Sequence, residues 1–311
     1  VSLNVRPLVP SRVMKVGSHS GGRAPRSVLG GYIALMKLRV VELLLVTTVP
    51  TMVLADDGWP DWWLIVITLI GGTLAAGGAN AINMYVDRDI DALMERTKHR
   101  PLVTGLIAPR SGLTFAIFLE IAAFTVLWVG ANLLAAILAI SATLFYVFVY
   151  TLWLKRTSTQ NIVIGGAAGA MPVLVGWAAV TDSLAWAPWV LFAVIFFWTP
   201  PHFWALAIRH ADDYRAAGVP MLPVVVEQHK AIRSMIAYTV VTVATSFLMF
   251  PVSDLGWIYG ISAGVLGAAF LVGTIALSRR PTDRGSMQLF TFSITYLSLL
   301  FIMLTVDVLV G

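Results

Sequence analysis

The chain has 311 residues, 58% hydrophobic and 12% charged, with a net charge of +5 and no cysteine. Soluble domains carry roughly 25% charged residues, so this composition excludes an ordinary water-soluble protein and nucleic acid is not an expected partner. The missing cysteines exclude disulfides, thiolate metal sites and Cys-x-x-Cys-His haem attachment.

Val1 to Arg26 is rich in Arg, Ser, Gly and Pro. Residues 1–30 are expected to form a flexible basic cytoplasmic tail, not a signal peptide, because no small-residue cleavage site follows a short apolar run. Residues 31–311 are expected to form one all-α, polytopic membrane domain. A helix needs about 20 apolar residues to cross a bilayer. The apolar runs predict nine spans, at approximately 33–55, 63–86, 112–130, 132–153, 162–180, 186–208, 232–252, 255–278 and 288–308. Every Lys and Arg falls with the tail or with the links after the even-numbered spans, and the opposite links carry only Asp56, Asp57, Asp61, Asp182 and Asp254. Cytoplasmic loops collect Lys and Arg. The pattern predicts a multi-pass protein of the inner (plasma) membrane, its N-terminus cytoplasmic and its C-terminus outside.

The second span ends in Asn83-Met84-Tyr85-Val86-Asp87-Arg88-Asp89-Ile90-Asp91. Asn83, Asp87 and Asp91 are four apart, so on a helix they share one face, each pair about 5–6 Å apart at Cβ. Asn80 lies on the same stripe. Carboxylates this close repel unless a cation or proton lies between them. Mg²⁺ suits such a site, because it takes one or two carboxylates and completes its shell with water and phosphate oxygens. The bland alternative is a solvated helix end whose acids pair with Arg88 and Arg96. Asp89 points to another face and is expected to be structural. After the sixth span, Asp212 and Asp213 open a second loop that also runs into prolines. Four helices separate the loops, which hints at a duplicated four-helix unit, and Asp213 is a candidate to join the first stripe in catalysis.

Lys37, Arg39, Lys98, Arg100, Lys155 and Arg156 are candidates for holding phosphate oxygens, with Arg39 and Arg100 favoured for the bidentate guanidinium fork. Cytoplasmic loops are basic for topological reasons in any case. Two acids fall inside spans. Glu42 has Arg39 three residues before it; Glu120 has no partner evident in the sequence, beyond an interhelical hydrogen bond. His202 lies in Trp198-Thr199-Pro200-Pro201-His202, where it faces either a substrate, a haem iron or ordinary packing. The Gly165–Ala170 stretch is read as a place of close helix packing rather than a phosphate loop.

A Mg²⁺–diphosphate site at a membrane surface implies a lipid-soluble diphosphate. Burying a farnesyl chain is worth on the order of 10 kcal/mol at about 0.8 kcal/mol per CH₂. Departure of the diphosphate leaves an allylic cation, which aromatic faces stabilise.

Asn83-x-x-x-Asp87-x-x-x-Asp91 resembles the motif of the UbiA-type intramembrane prenyltransferases. Further stretches resemble the branch of that family that farnesylates haem: Arg96-Thr97-Lys98-His99-Arg100-Pro101-Leu102, Thr151 to Asn161, Trp198 to His202, and Asp213 to Pro223. The resemblance covers roughly residues 30–308. It implies a nine-helix bundle, a Mg²⁺ ion on Asn83, Asp87 and Asp91, diphosphate contacts from Lys37, Arg39, Arg100, Lys155 and Arg156, and transfer of farnesyl from farnesyl diphosphate to haem b, giving haem O. His202 is the candidate haem-facing residue, and a haem A synthase or an oxidase-assembly protein is the candidate partner. The chain departs from the wider family in its second loop, where Asp213 has Arg209 four before it and Ala217 four after, instead of a second acid. The alternatives are a sister prenyltransferase acting on a quinone precursor or another aromatic, and a secondary transporter; nine spans and acids at the surface argue against the transporter.

Overall fold

The computed structural model describes residues 27–311, and the side chains of residues 39, 40, 43 and 44 lie outside the described residues. The expected tail over residues 1–26 and the side chain of Arg39 are therefore outside the structural account.

Among the described residues the protein is all α-helical, as expected. In chain order the helices are α1 (Val28–Met36), α2 (Leu38–Asp56), α3 (Trp62–Val86), α4 (Arg88–Asp91), α5 (Pro109–Gly130) and α6 (Leu133–Leu144). Without a break α6 widens into a π-helix (Phe145–Leu154) and ends in the single turn α7 (Lys155–Thr157). Then follow α8 (Asn161–Thr181), α9 (Trp186–Arg209), α10 (Ala211–Ala216), α11 (Leu222–Val225), α12 (Gln228–Phe247), a short 3₁₀ turn (Phe250–Val252), α13 (Trp257–Arg279) and α14 (Asp283–Val310).

Eight of these segments are long and apolar enough to cross a membrane. The run expected as the first span is divided at Lys37, whose φ of 50° closes α1 and opens α2. Length and apolarity thus support eight of the nine expected spans, and the total of nine is not confirmed.

Local chemistry fixes the helix ends. The side chains of Asp61, Asn132 and Thr282 accept from Trp63 N, Ala135 N and Gly285 N at 2.7, 2.8 and 3.0 Å, satisfying donors that have no partner inside the helix. Asp307, buried near the end of α14, accepts from Gly256 N and from Tyr259 N and so caps α13.

The main core lies between α8, α9, α12, α13 and α14 and includes Trp198, Trp204, Tyr259, Phe270, Tyr296 and Phe301. A second cluster joins α3, α5, α6 and α8. A third packs Leu35 and Met84 against Leu102 and Ile107 of the link after α4, which draws that link against the end of α3. Large apolar side chains such as Phe118, Trp128, Phe148 and Val265 remain exposed. In a helical membrane protein these face lipid, since helices satisfy their own backbone groups there.

Small residues set the close approaches. A Cβ on Gly78 of α3 would lie 2.5 Å from Glu120 Oε1 of α5, and one on Gly166 of α8 would lie 3.0 Å from Thr199 of α9. The Gly165–Ala170 stretch is thus a packing surface, as its position inside a span implied. Glu120 does find an interhelical partner: Thr143 Oγ1 donates to its Oε1 at 3.2 Å.

Candidate active site

The acidic stripe survives the end of α3. Asp87 N bonds to Asn83 O at 2.9 Å and Asp91 N to Asp87 O at 2.8 Å, so the single turn of α4 continues the helical pitch and keeps all three side chains on one face. All three are buried: Asn83 is 2% exposed, Asp87 0% and Asp91 1%. Two carboxylates this deep require counter-charge.

The chain supplies it from three directions. Lys155 Nζ donates to Asp87 Oδ2, and Arg156 Nη2 lies 3.5 Å from Asp87 Oδ1. Arg100 Nη1 donates to Asp91 Oδ2. Lys37 Nζ, from the break between α1 and α2, donates to Asn83 Oδ1 at 3.0 Å. Four of the five basic residues expected near a diphosphate therefore converge here; the side chain of the fifth, Arg39, lies outside the described residues. The alternative pairing with Arg88 and Arg96 is not what forms. Arg88 turns back onto the Tyr85 carbonyl and ring, and Arg96 lies 6.0 Å from the centre of the Tyr214 ring. Lys98 pairs with Glu95 instead, at 2.6 Å.

Asp89 faces Arg156 rather than its neighbours on the stripe. It accepts two bonds from Arg156, at 2.8 and 2.7 Å, and the guanidinium holds its carboxyl down at about 2. Arg156 also donates to Val86 O at 3.3 Å, which ties α7 to the end of α3.

The residues fit a divalent ion. Asp87 Oδ1 and Asp91 Oδ1 are buried and have no hydrogen-bond partner, although Asp87 Oδ1 faces the Arg156 guanidinium at 3.5 Å. Each carboxylate thus keeps one oxygen free of hydrogen bonds. Among the described residues no group of three or more His, Cys, Asp or Glu side chains could hold a metal. An ion here would rest on two carboxylates and the Asn83 amide and take its other oxygens from a ligand, which is the mode that suits Mg²⁺ beside phosphate.

Asp213 meets the first loop, but through its backbone. Its two carboxylate oxygens accept from Glu95 N at 3.2 Å and Arg96 N at 3.3 Å. His210 Nδ1 lies 4.0 Å from Asp213, and burial, with Arg96 nearby, pushes the His210 imidazole below its usual range. Asp212 points out and pairs with Arg215 at 2.6 Å. The two acidic loops are therefore side by side, with Asp213 as the latch between them.

His202 is apart from the stripe, in the packing of α9 against α14. Its ring stacks between Trp198 (4.3 Å) and Phe290 (4.5 Å), and Nδ1 lies 2.7 Å from Ser293 Oγ. Glu42 is exposed.

Two features were not read from the sequence. Thr151 Oγ1 accepts from Asn83 Nδ2 at 3.1 Å. Tyr146 and Tyr150 stack with centroids 5.3 Å apart on the same π-helix. A signal existed: Thr151 and Lys155 are four apart, the same step as Asn83 and Asp87, so a neighbouring helix running in the same direction matches them pair by pair.

A family model described as "UbiA prenyltransferase family" matches residues 44–302. The chain belongs to that family, the UbiA-type intramembrane prenyltransferases. Its relatives narrow this further. A protein from Parafrankia sp. (strain EAN1pec) is 56% identical and covers 87% of each chain. One from Gloeobacter violaceus is 52% identical, covering 92% of this chain and 96% of its own. One from Streptomyces avermitilis is 48% identical, covering 94% and 99%. Each is named protoheme IX farnesyltransferase. Among solved structures, the fold is shared with a digeranylgeranylglyceryl phosphate synthase (TM-score 0.74, 17% identity, 90% of this chain and 98% of that one). It is shared too with a UbiA homologue from Archaeoglobus fulgidus bound to GPP and Mg²⁺ (TM-score 0.63, 18% identity, 88% and 99%).

Proposed function

We propose that this chain transfers farnesyl from farnesyl diphosphate to a vinyl group of protoheme IX (haem b), giving haem O for haem A synthesis. Prenyl transfer rests on one observation: the buried pair Asp87 and Asp91, each with one oxygen free of hydrogen bonds, ringed by Lys37, Arg100, Lys155 and Arg156. The haem acceptor rests on relatives 48% to 56% identical over most of the chain.

Asp87, Asp91 and Asn83 would hold Mg²⁺, which when bound neutralises diphosphate oxygens and makes diphosphate a better leaving group. Lys37, Arg39, Arg100, Lys155 and Arg156 bind the phosphate oxygens; the arginines do so with a planar fork, the lysines as point charges. The C1–O bond of the farnesyl diphosphate breaks as a carbon–carbon bond to the vinyl group forms. Water then adds a hydroxyl and loses a proton. Tyr146 and Tyr150, stacked on the same π-helix as Thr151, are the aromatic faces that favour the positive charge that develops. Asp213 serves the reaction by position, holding the loop that carries Arg100. His202 is assigned to the haem side of the site.

The gathering of Lys and Arg on one set of links supports an N-terminus in the cytoplasm, and the membrane assigned in this reading is the plasma membrane. The product passes to a haem A synthase or an oxidase-assembly protein.

Expression of the chain in cells that make farnesyl diphosphate, followed by pigment extraction, tests the acceptor. Haem O is the expected product. Unchanged haem b together with a prenylated aromatic would overturn the acceptor and keep prenyl transfer.

A further inference from the structure

Asn83 is a neutral member of an acidic stripe, and its usefulness to a cation depends on which end of the amide faces it. The oxygen accepts; the nitrogen carries two donors. Lysine can only donate, so the amide atom 3.0 Å from Lys37 Nζ has to be Oδ1. Nδ2 then directs its two hydrogens to Asp87 Oδ2 at 2.7 Å and to Thr151 Oγ1 at 3.1 Å. Asn83, Asp87 and Thr151 are shielded from water: Asn83 is 2% exposed, and Thr151 and Asp87 are 0% exposed.

We propose that Thr151 is a positioning residue that fixes the facing of the Asn83 amide and so presents Asn83 Oδ1 to the divalent ion. The proposal rests on the metal-site reading above.

The other two restraints on the amide are not its own. Lys37 is a phosphate-binding candidate, and it leaves Oδ1 when it turns to a diphosphate. Asp87 Oδ2 is shared with Lys155, and Asp87 is the first candidate ligand of the ion. The Thr151 hydroxyl carries no charge that a bound diphosphate would draw away. It is therefore the restraint that persists when the site fills. Thr151 lies on the π-helix opposite Asn83, and Lys155, in the turn that follows it, lies opposite Asp87; π-helical turns are rare and are frequently found at functional sites.

The test uses the full chain in detergent with Mg²⁺ and inorganic pyrophosphate as the probe. Thermal unfolding is followed against Mg²⁺ at fixed pyrophosphate for wild type, Thr151→Val and Thr151→Ser. Valine keeps the volume and deletes the hydroxyl; serine restores it. A buried bond of this kind corresponds to about a tenfold change in affinity. Thr151→Val should need about tenfold more Mg²⁺ for half of the stabilising shift, each shift being read against that variant's own metal-free midpoint, which loss of the buried bond lowers. Thr151→Ser should return to the wild-type value. In an Asn83→Asp background, which has no amide to orient, Thr151→Val should change nothing further.

A wild-type Mg²⁺ response in Thr151→Val, or no recovery in Thr151→Ser, overturns the positioning role and leaves the metal site standing. Should Thr151→Val fail to fold, Thr151→Ala read against Thr151→Ser decides by the same criterion. Absence of any Mg²⁺-dependent shift in wild type overturns both readings together.

Discussion

Replacing Lys155 by methionine removes the cation that bonds directly to Asp87. The aspartate is 0% exposed, and among the described residues Arg156, at 3.5 Å, is then the cation left beside it. Removing one partner of a buried pair costs about 3–5 kcal/mol, because the other charge is left without compensation. Arg156 is already bonded twice to Asp89, but it remains close enough to hold the loss near the lower end. A loss of about 3 kcal/mol corresponds to a fall in unfolding temperature of roughly 5 °C for a chain of this size. The assay is thermal unfolding in detergent without metal, for Lys155→Met, Asp87→Asn and the double variant. The double variant removes the stranded charge and should recover most of the stability while remaining inactive. Mg²⁺ with pyrophosphate should restore part of the loss in Lys155→Met, since the ion takes over the role of the lysine at Asp87. A Lys155→Met midpoint within about 1 °C of wild type, or a double variant no more stable than the single one, would refute the reasoning.

Other variants test other parts. Asp213→Asn lacks the second carboxylate oxygen and can no longer accept from both loop amides; hydrogen exchange at Glu95 and Arg96 should quicken and turnover should fall about tenfold by analogy with loss of one buried bond, whereas unchanged exchange would remove Asp213 from this role. Gly78→Ala places a methyl group against Glu120 Oε1, at 2.5 Å before any relaxation; it should destabilise by about 1–3 kcal/mol, and Glu120→Ala should suppress part of that loss, so independent, additive effects would argue against direct contact. His202→Ala should weaken haem binding, read from the haem absorption band, and leave Mg²⁺–pyrophosphate stabilisation intact; undiminished haem affinity would leave His202 as a packing residue. Chelation of divalent ions should abolish diphosphate release, and added Mg²⁺ should restore it.

Hydropathy marked out the membrane helices because each span must bury its own backbone bonds and so cannot be short or polar. The step of four residues made Asn83, Asp87 and Asp91 legible as one face, and it held across the end of α3 because Asp87 and Asp91 keep the i→i−4 bonds. The partners of those acids were not legible. Sequence proximity pointed to Arg88 and Arg96, but helix packing brought Lys155 and Arg156 from 68 and 69 residues away. The π-helix that aligns Thr151 had no local marker, since Phe145–Leu154 reads as any apolar span. The break at Lys37 was hidden for a related reason. A left-handed lysine between two apolar stretches has no turn residue to announce it, and it is held there in part by its reach to Asn83. Asp213 was read as a direct member of the site because its loop mirrors the first; in the fold its oxygens meet backbone amides.

Replacing Mg²⁺ by Mn²⁺ and adding pyrophosphate lets electron paramagnetic resonance report the ion and its neighbours directly. The account predicts a bound Mn²⁺ signal with phosphorus coupling in wild type, lost when Asp87 and Asp91 are both changed to Asn. Retention of that signal in the double variant would contradict it.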